Sequence, residues 1–355
     1  MAESISVAAL FQDYRDWPLI DVRSPGEYAQ AHVPWAYSMP LFDDRQRAEV
    51  GIAYKHNGQH QAILKGLDLV GPSMSRLAET GWNHTLEHWQ QQECVSRTER
   101  KRVVVHCWRG GMRSRSVAWL LEQVGLSVRV LEGGYKAYRR SVLDRFCFPL
   151  RFRVLTGLTG AGKTRVLNLL QQSGEQVLDL EAMANHRGSA FGYLGPQPTV
   201  EQFENNLAEA LLQLDAERIV WVEDEAQSIG KVALPGALFK QYRKAPAVFL
   251  ELDRLERAKN LAQWYGKQPP QQLADGIREI HKRLGGQNVT RALKLLDAND
   301  LVGCAACLLE YYDKAYLRAQ EKNGRIASQP LPISGLSDVQ LIYKLREFSS
   351  EWASV

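Results

Sequence analysis

Val103-Val104-Val105-His106-Cys107-Trp108-Arg109-Gly110-Gly111-Met112-Arg113-Ser114 is the stretch on which the reading of the fold turns. Three β-branched residues run into a cysteine and a short loop with two glycines. Then Val117, Leu120, Leu121 and Val124 recur at helical spacing up to Gly125, which fits a cap. A strand thus delivers a thiol to a helix N-terminus. Glycine lets successive N–H groups turn inward as an anion-binding nest, and the helix dipole adds positive potential. In such a nest a cysteine pKa falls from about 8.5 to between about 3.5 and 7.5. Arg109, Arg113 and Arg115 push the same way. A structural cysteine is the alternative, but it needs neither the two glycines nor the three arginines.

The chain has 355 residues, too many for one ordinary core, so two domains are expected. With 45% hydrophobic and 24% charged residues it reads as globular rather than disordered. A net charge of +4 permits a polyanionic partner without demanding one. Five dispersed cysteines make no disulfide framework, and no signal peptide is evident at the N-terminus, which suits a reducing cytoplasm. No apolar run approaches the roughly 20 residues of a membrane span, so the expectation is a soluble protein that engages no membrane.

A second glycine-rich loop lies further on. Residues 1–143 read as one domain, 144–150 with Pro149 as the joint, and 151–355 as the other. Phe152 to Thr156 is a strand opening into Gly157-Leu158-Thr159-Gly160-Ala161-Gly162-Lys163-Thr164 and a helix, the full P-loop in its proper setting. Its amides, with Gly157, Gly160 and Gly162, would wrap a phosphate, Lys163 would reach the adjoining phosphoryl oxygens, and Thr164 would face Mg²⁺. The loop reads a diphosphate and no nucleobase. Strands at Gln176–Leu180, Arg218–Val222 and Ala247–Leu252, separated by helical stretches, make a parallel sheet, so both halves are α/β. Glu223 or Asp224 at a strand end fits the metal, Asp179 and Glu181 could hold a metal or water or merely start a helix, and Arg254 and Arg257 could close over phosphates. The rest reads as a helical tail.

Three patterns are set aside as structural. His84-Thr85-Leu86-Glu87-His88 matches a zinc-peptidase signature, but Trp82, Leu86 and Trp89 mark an amphipathic helix and no third ligand is near. The basic run Arg97, Arg100, Lys101, Arg102 reads as a solvated strand entrance, and Cys304 and Cys307 as core residues of an apolar helix.

Pro18-Leu19-Ile20-Asp21-Val22-Arg23, Ala31 to Pro40, the Cys107 loop and Leu131-Glu132-Gly133-Gly134-Tyr135-Lys136-Ala137-Tyr138 together resemble the rhodanese-like sulfurtransferase domain, in which the cysteine carries a chalcogen. Trp35 and Tyr135 stand where that family usually has glycine and tryptophan. Its pairing with a P-loop domain resembles the bacterial tRNA 2-selenouridine synthase family, through the two loops, Asp179-Leu180-Glu181, His186 to Gly192, Phe203-Glu204-Asn205, Val222 to Glu225 and Ile229-Gly230. The resemblance implies a transferase acting on the wobble 2-thiouridine of tRNA, with geranyl diphosphate and then selenophosphate as co-substrates, through an S-geranyl intermediate. It also implies a partner enzyme that makes selenophosphate. No tightly bound cofactor is expected beyond Mg²⁺ with a diphosphate. Two other readings stay open: an ATP-dependent sulfurtransferase or kinase, and an anion-binding module with an inactive thiol. No known RNA-binding module is apparent, and a base that must enter a pocket is expected to be unstacked.

Overall fold

Val103, Val104 and Val105 are all fully buried, the mark of a strand covered on both faces, as parallel sheets under helices require. The computed structural model describes residues 2–92, 101–186, 195–323 and 328–351. Arg97, Arg100 and the 187–192 part of the motif beginning at His186 lie outside them. Two compact units emerge: Met1–Arg145 with Glu201–Glu209, and Phe146–Val200 with Ala210–Val355. The sequence reading put all of 151–355 in one domain. Glu201–Glu209 groups with the first unit because its polar side chains are bonded there, Glu201 to Tyr135, Asn205 to Arg139 and Glu209 to Arg15.

In the first unit, strands β1 (Glu3–Ile5), β2 (Leu19–Asp21), β3 (Ala36–Ser38), β4 (Arg102–His106) and β5 (Ser127–Leu131) form a parallel sheet in the order β1-β5-β4-β2-β3. The chain leaves β4 toward β5 and leaves β2 toward β3, so the crevice between their C-terminal ends is a topological switch point. Cys107 follows β4 there. Between β3 and β4 lies the helix Asp44–Val70, kinked at Gly58 (φ 81°), and then Met74–Gln90, which buries Leu77, Gly81, Thr85 and Trp89 at fourfold spacing.

The second unit contains β6 (Arg151–Thr156), β7 (Gln176–Leu178), β8 (Ile219–Glu223), a short antiparallel pair β9 (Ser228–Ile229) and β10 (Val232–Ala233), β11 (Ala247–Glu251) and β12 (Gln329–Pro332). The sheet order is β12-β11-β6-β8-β7, all parallel. The tail after Leu255 is therefore not wholly helical. Helices from Arg254 to Asn323 gather a core of their own around Tyr265, Leu273, Ile277, Leu308 and the buried Cys304 and Cys307. The chain then returns as β12, where Pro330 and Pro332 are tolerated because the strand is at the sheet edge. Among the described residues no helix is long and apolar enough to cross a membrane.

Candidate functional site

Cys107 sits where β4 ends and five residues before the helix Met112–Gln123 begins. It is 3% exposed. Its Sγ lies 3.3 Å from the Ser114 hydroxyl, which donates to the Gly111 carbonyl at 3.0 Å or turns to the sulfur. Burial pushes this thiol up, but the Ser114 hydroxyl, the amides of Arg109 and Ser114, and the Arg113 charge outweigh it and hold the thiol below its ordinary value.

The amides face the sulfur because the carbonyls are drawn away. The N–H groups of Tyr135 and Lys136, in the first turn of the helix Gly134–Arg145, donate to the carbonyls of Cys107 and Trp108 at 2.9 and 3.0 Å. This packing leaves no room for side chains at Gly110 (φ +65°), where a Cβ would lie 2.4 Å from the Leu131 carbonyl, or at Gly134. Gly111 is different: its φ is −93° and its Cβ would meet open space. Of the two loop glycines, then, only Gly110 is required by the backbone.

The three arginines also separate. Arg113 donates to Glu27 at 2.9 Å and still acts on the thiol, whereas Arg115 reaches out to Ser4 and Arg109 contributes its amide. The sequence reading missed the support beneath. Arg23, 1% exposed, makes a bidentate pair with Asp21 and lies 3.8 Å from the centre of the Tyr135 ring, while Trp108, 36% exposed, leans on the same tyrosine with centroids 5.6 Å apart. The indole of the residue after the thiol thus rests on a braced base. Met112 is exposed on the same rim. His84 and His88 serve packing: His84 stacks on Tyr37, and the two ring nitrogens of His88 meet the Tyr37 hydroxyl and the Asp16 carbonyl.

In the second unit the P-loop joins β6 to the helix Lys163–Gln172. Gly157 (φ +144°) approaches the Leu250 carbonyl and Gly160 (φ +81°) the Arg257 carbonyl, each too closely for a side chain, and Gly162 enters the helix at φ +83°. Lys163 Nζ donates to the Gly157 carbonyl at 3.3 Å. Burial pulls this ammonium down, but Glu223, Tyr316, Glu225 and Glu181 outweigh it and keep the lysine charged. Burial raises Glu223 to about 7 and Glu225 to about 8, with Glu181 adding to both and Lys163 opposing. Thr164 hydrogen-bonds Glu223.

Two of the sequence assignments, Asp224 and Arg257, are redrawn here, and Asp179 takes the helix-start alternative. Asp224 lines the same cavity but is paired with Arg243 at 3.1 Å, and it is Glu225 that brings a carboxylate oxygen beside those of Glu223 and Glu181. Asp179 caps the helix Leu180–Met183, leaving Glu181 to enter the site. Arg257 is no lid: 3% exposed, it is clamped bidentately to Asp313 at 2.8 Å and donates to the Thr159 carbonyl of the P-loop at 3.1 Å. Arg254 is exposed and faces Glu310. The P-loop, the glutamates, Phe239, Leu261, Trp264, Tyr265 and Tyr312 line one cavity of about 870 Å³.

The family model described as the tRNA 2-selenouridine synthase AAA domain matches residues 150–329, and that of the rhodanese-like domain matches residues 6–141. The tRNA 2-selenouridine synthase of Hydrogenovibrio crunogenus is 36% identical over 301 residues, covering 79% of each chain. The chain belongs to the tRNA 2-selenouridine synthase family. A second synthase, from Nitrosomonas europaea, is 35% identical over 84% of this chain and 76% of its own, and that of Bdellovibrio bacteriovorus is 32% identical over 94% and 83%. The thiol loop falls within the rhodanese-like segment, and the P-loop with Glu181, Glu223 and Glu225 within the other.

Proposed function

We propose that the protein is a cytoplasmic transferase that converts the wobble 2-thiouridine of tRNA to 2-selenouridine in two steps. In the first, the thiocarbonyl sulfur attacks the allylic carbon of geranyl diphosphate; the new C–S bond forms as the C–O bond breaks, and pyrophosphate leaves with the electron pair. In the second, the selenium of selenophosphate, handed over by the enzyme that makes it, forms a C–Se bond at the ring carbon as the C–S bond breaks and geranylthiol leaves with the selenol proton, and water then cleaves the Se–P bond to release phosphate and 2-selenouridine. Alkylation makes the sulfur a better leaving group, which is why the first step precedes the second.

The observation that carries this reading is the cavity. One end is a P-loop with a charged lysine, and the same cavity offers the apolar surface of Phe239, Leu261, Trp264 and Leu341 among polar groups such as Asn260, Gln263 and Lys267, so both ends of an allylic diphosphate would find a partner. Lys163 and the loop amides would stabilise the departing pyrophosphate. Thr164 and Glu223, whose Oε1 is buried without a hydrogen-bond partner, fit a hard divalent cation, which when bound would neutralise phosphate charge. Cys107, lowered by its amides, would receive or orient selenium, with the base against the Trp108 indole. No tightly bound organic cofactor enters the scheme.

Mass spectrometry of tRNA nucleosides tests it. Cys107→Ala should leave S-geranyl-2-thiouridine to accumulate without selenouridine, and Lys163→Ala should block geranyl transfer. Wild-type selenouridine from the first variant, unchanged geranylation by the second, or rapid MgATP turnover without tRNA would overturn the proposal.

A further inference from the structure

We infer that Glu181, Glu223 and Glu225 form a divalent-cation site that fills from solution before any diphosphate arrives. In a P-loop the cation is ordinarily held by one hydroxyl and by the phosphates, because Mg²⁺ keeps its waters and takes only one or two carboxylates from the protein. This pocket supplies three. Each glutamate brings a carboxylate oxygen within 4.8 Å of the other two. They come from separate places: Glu181 from the short helix after β7, Glu223 from the end of β8, and Glu225 from two residues beyond, on the same side.

A second observation points to a ligand. Glu223 is 2% exposed, and its Oε1 has no hydrogen-bond partner among the described residues, although Thr164 holds the carboxyl in place. A buried carboxylate oxygen left unpaired is costly, and a cation at the centre of the three would satisfy it. The all-oxygen donor set selects a hard ion such as Mg²⁺ or Mn²⁺ over zinc. Asp224 is excluded by its ion pair with Arg243.

The inference shares the P-loop pocket with the reading above but needs neither geranyl diphosphate nor tRNA, so the two can fail separately. Mn²⁺ alone, titrated into the full chain without any diphosphate and followed by electron paramagnetic resonance, should show one bound ion per chain. Glu225→Gln and Glu181→Gln should weaken that binding by about 10-fold or more, while Asp224→Asn, with its fold checked by circular dichroism, should bind Mn²⁺ as the wild type does. Binding that appears only after pyrophosphate is added would overturn the inference and leave the proposed reaction standing. Wild-type Mn²⁺ affinity in Glu225→Gln and Glu181→Gln would overturn it as well.

Discussion

Gly134→Ala is the sharpest probe of how the thiol loop is held. A Cβ at this position would lie 2.2 Å from the Cys107 carbonyl oxygen, 2.6 Å from the Gly110 nitrogen and 2.9 Å from the Arg109 nitrogen. Ordinary contact requires the cysteine carbonyl to retreat by about 1 Å. That movement breaks the bond from the Tyr135 amide and swings the Arg109 amide off the sulfur. The backbone adds its own cost, since φ is +56°. About 1–2 kcal/mol for a left-handed side chain and about 1–3 kcal/mol for overpacking together give a loss of roughly 2–5 kcal/mol in the first unit. Urea unfolding followed by hydrogen exchange of peptides from that unit measures the loss, and the rate of iodoacetamide alkylation against pH reports the thiol, which should ionise at higher pH than in the wild type. Gly111→Ala is the paired control: with φ −93° and open space around its Cβ, it should be neutral within about 0.5 kcal/mol. If Gly134→Ala matched the wild type in both stability and alkylation profile, the picture of carbonyls drawn back to free the amides would be wrong.

Ser114→Ala removes the strongest of the groups that lower the Cys107 thiol, so its alkylation profile should shift to higher pH without loss of fold. Arg257→Ala leaves the partly buried Asp313 without its guanidinium and releases the Thr159 carbonyl, costing about 3 kcal/mol by urea unfolding; Arg254→Ala, at an exposed pair, should stay within about 0.5 kcal/mol. In cation-free buffer the second unit should be stabilised by mild acid. Glu223 and Glu225 have folded values of about 7 and 8 against an ordinary 4.5, so the folded second unit binds more protons in that window and gains stability as pH falls through it. In the first unit buried His106, lowered from 6.5, loses stability as pH drops below about 6.5, while Glu209, raised to about 6 by burial, gains some below that value and the lowered Asp21 carboxyl acts only below about 3.8, so this unit's response has no single sign. Peptide-level hydrogen exchange between about pH 8 and 6.5 reads the gain, and a second unit that loses protection across that window would contradict the assignment.

What the sequence disclosed was whatever is local. Three consecutive valines announce a strand buried on both faces, and a glycine-rich loop ending in Lys163-Thr164 announces a phosphate cradle, because in each the physics is complete within a dozen residues. The choice between Asp224 and Glu225 was also available, since period-two alternation puts Glu223 and Glu225 together, but a reading by nearness to the strand end passes over it. Arg257 could not be told from Arg254 without Asp313, some fifty residues on in another helix. Gln329–Pro332 hid as a strand because its two prolines argue against one unless it is known to lie at an edge. The bracing of Trp108 by Tyr135 and Arg23 draws on three distant segments and leaves no local trace.

The membership of Glu201–Glu209 in the first unit has a consequence for biosynthesis. Fully buried Asn205 donates to the His32 carbonyl and the Tyr135 hydroxyl, and Arg139 is held by Glu204 and Asn205. A nascent chain that has emerged only to the joint after Arg145 therefore lacks one wall of its own first unit, which can close only when the ribosome has delivered some sixty residues more, including the P-loop. Cutting the gene at the joint would yield a fragment with stranded polar groups, so the halves are better separated by point substitutions than by truncation.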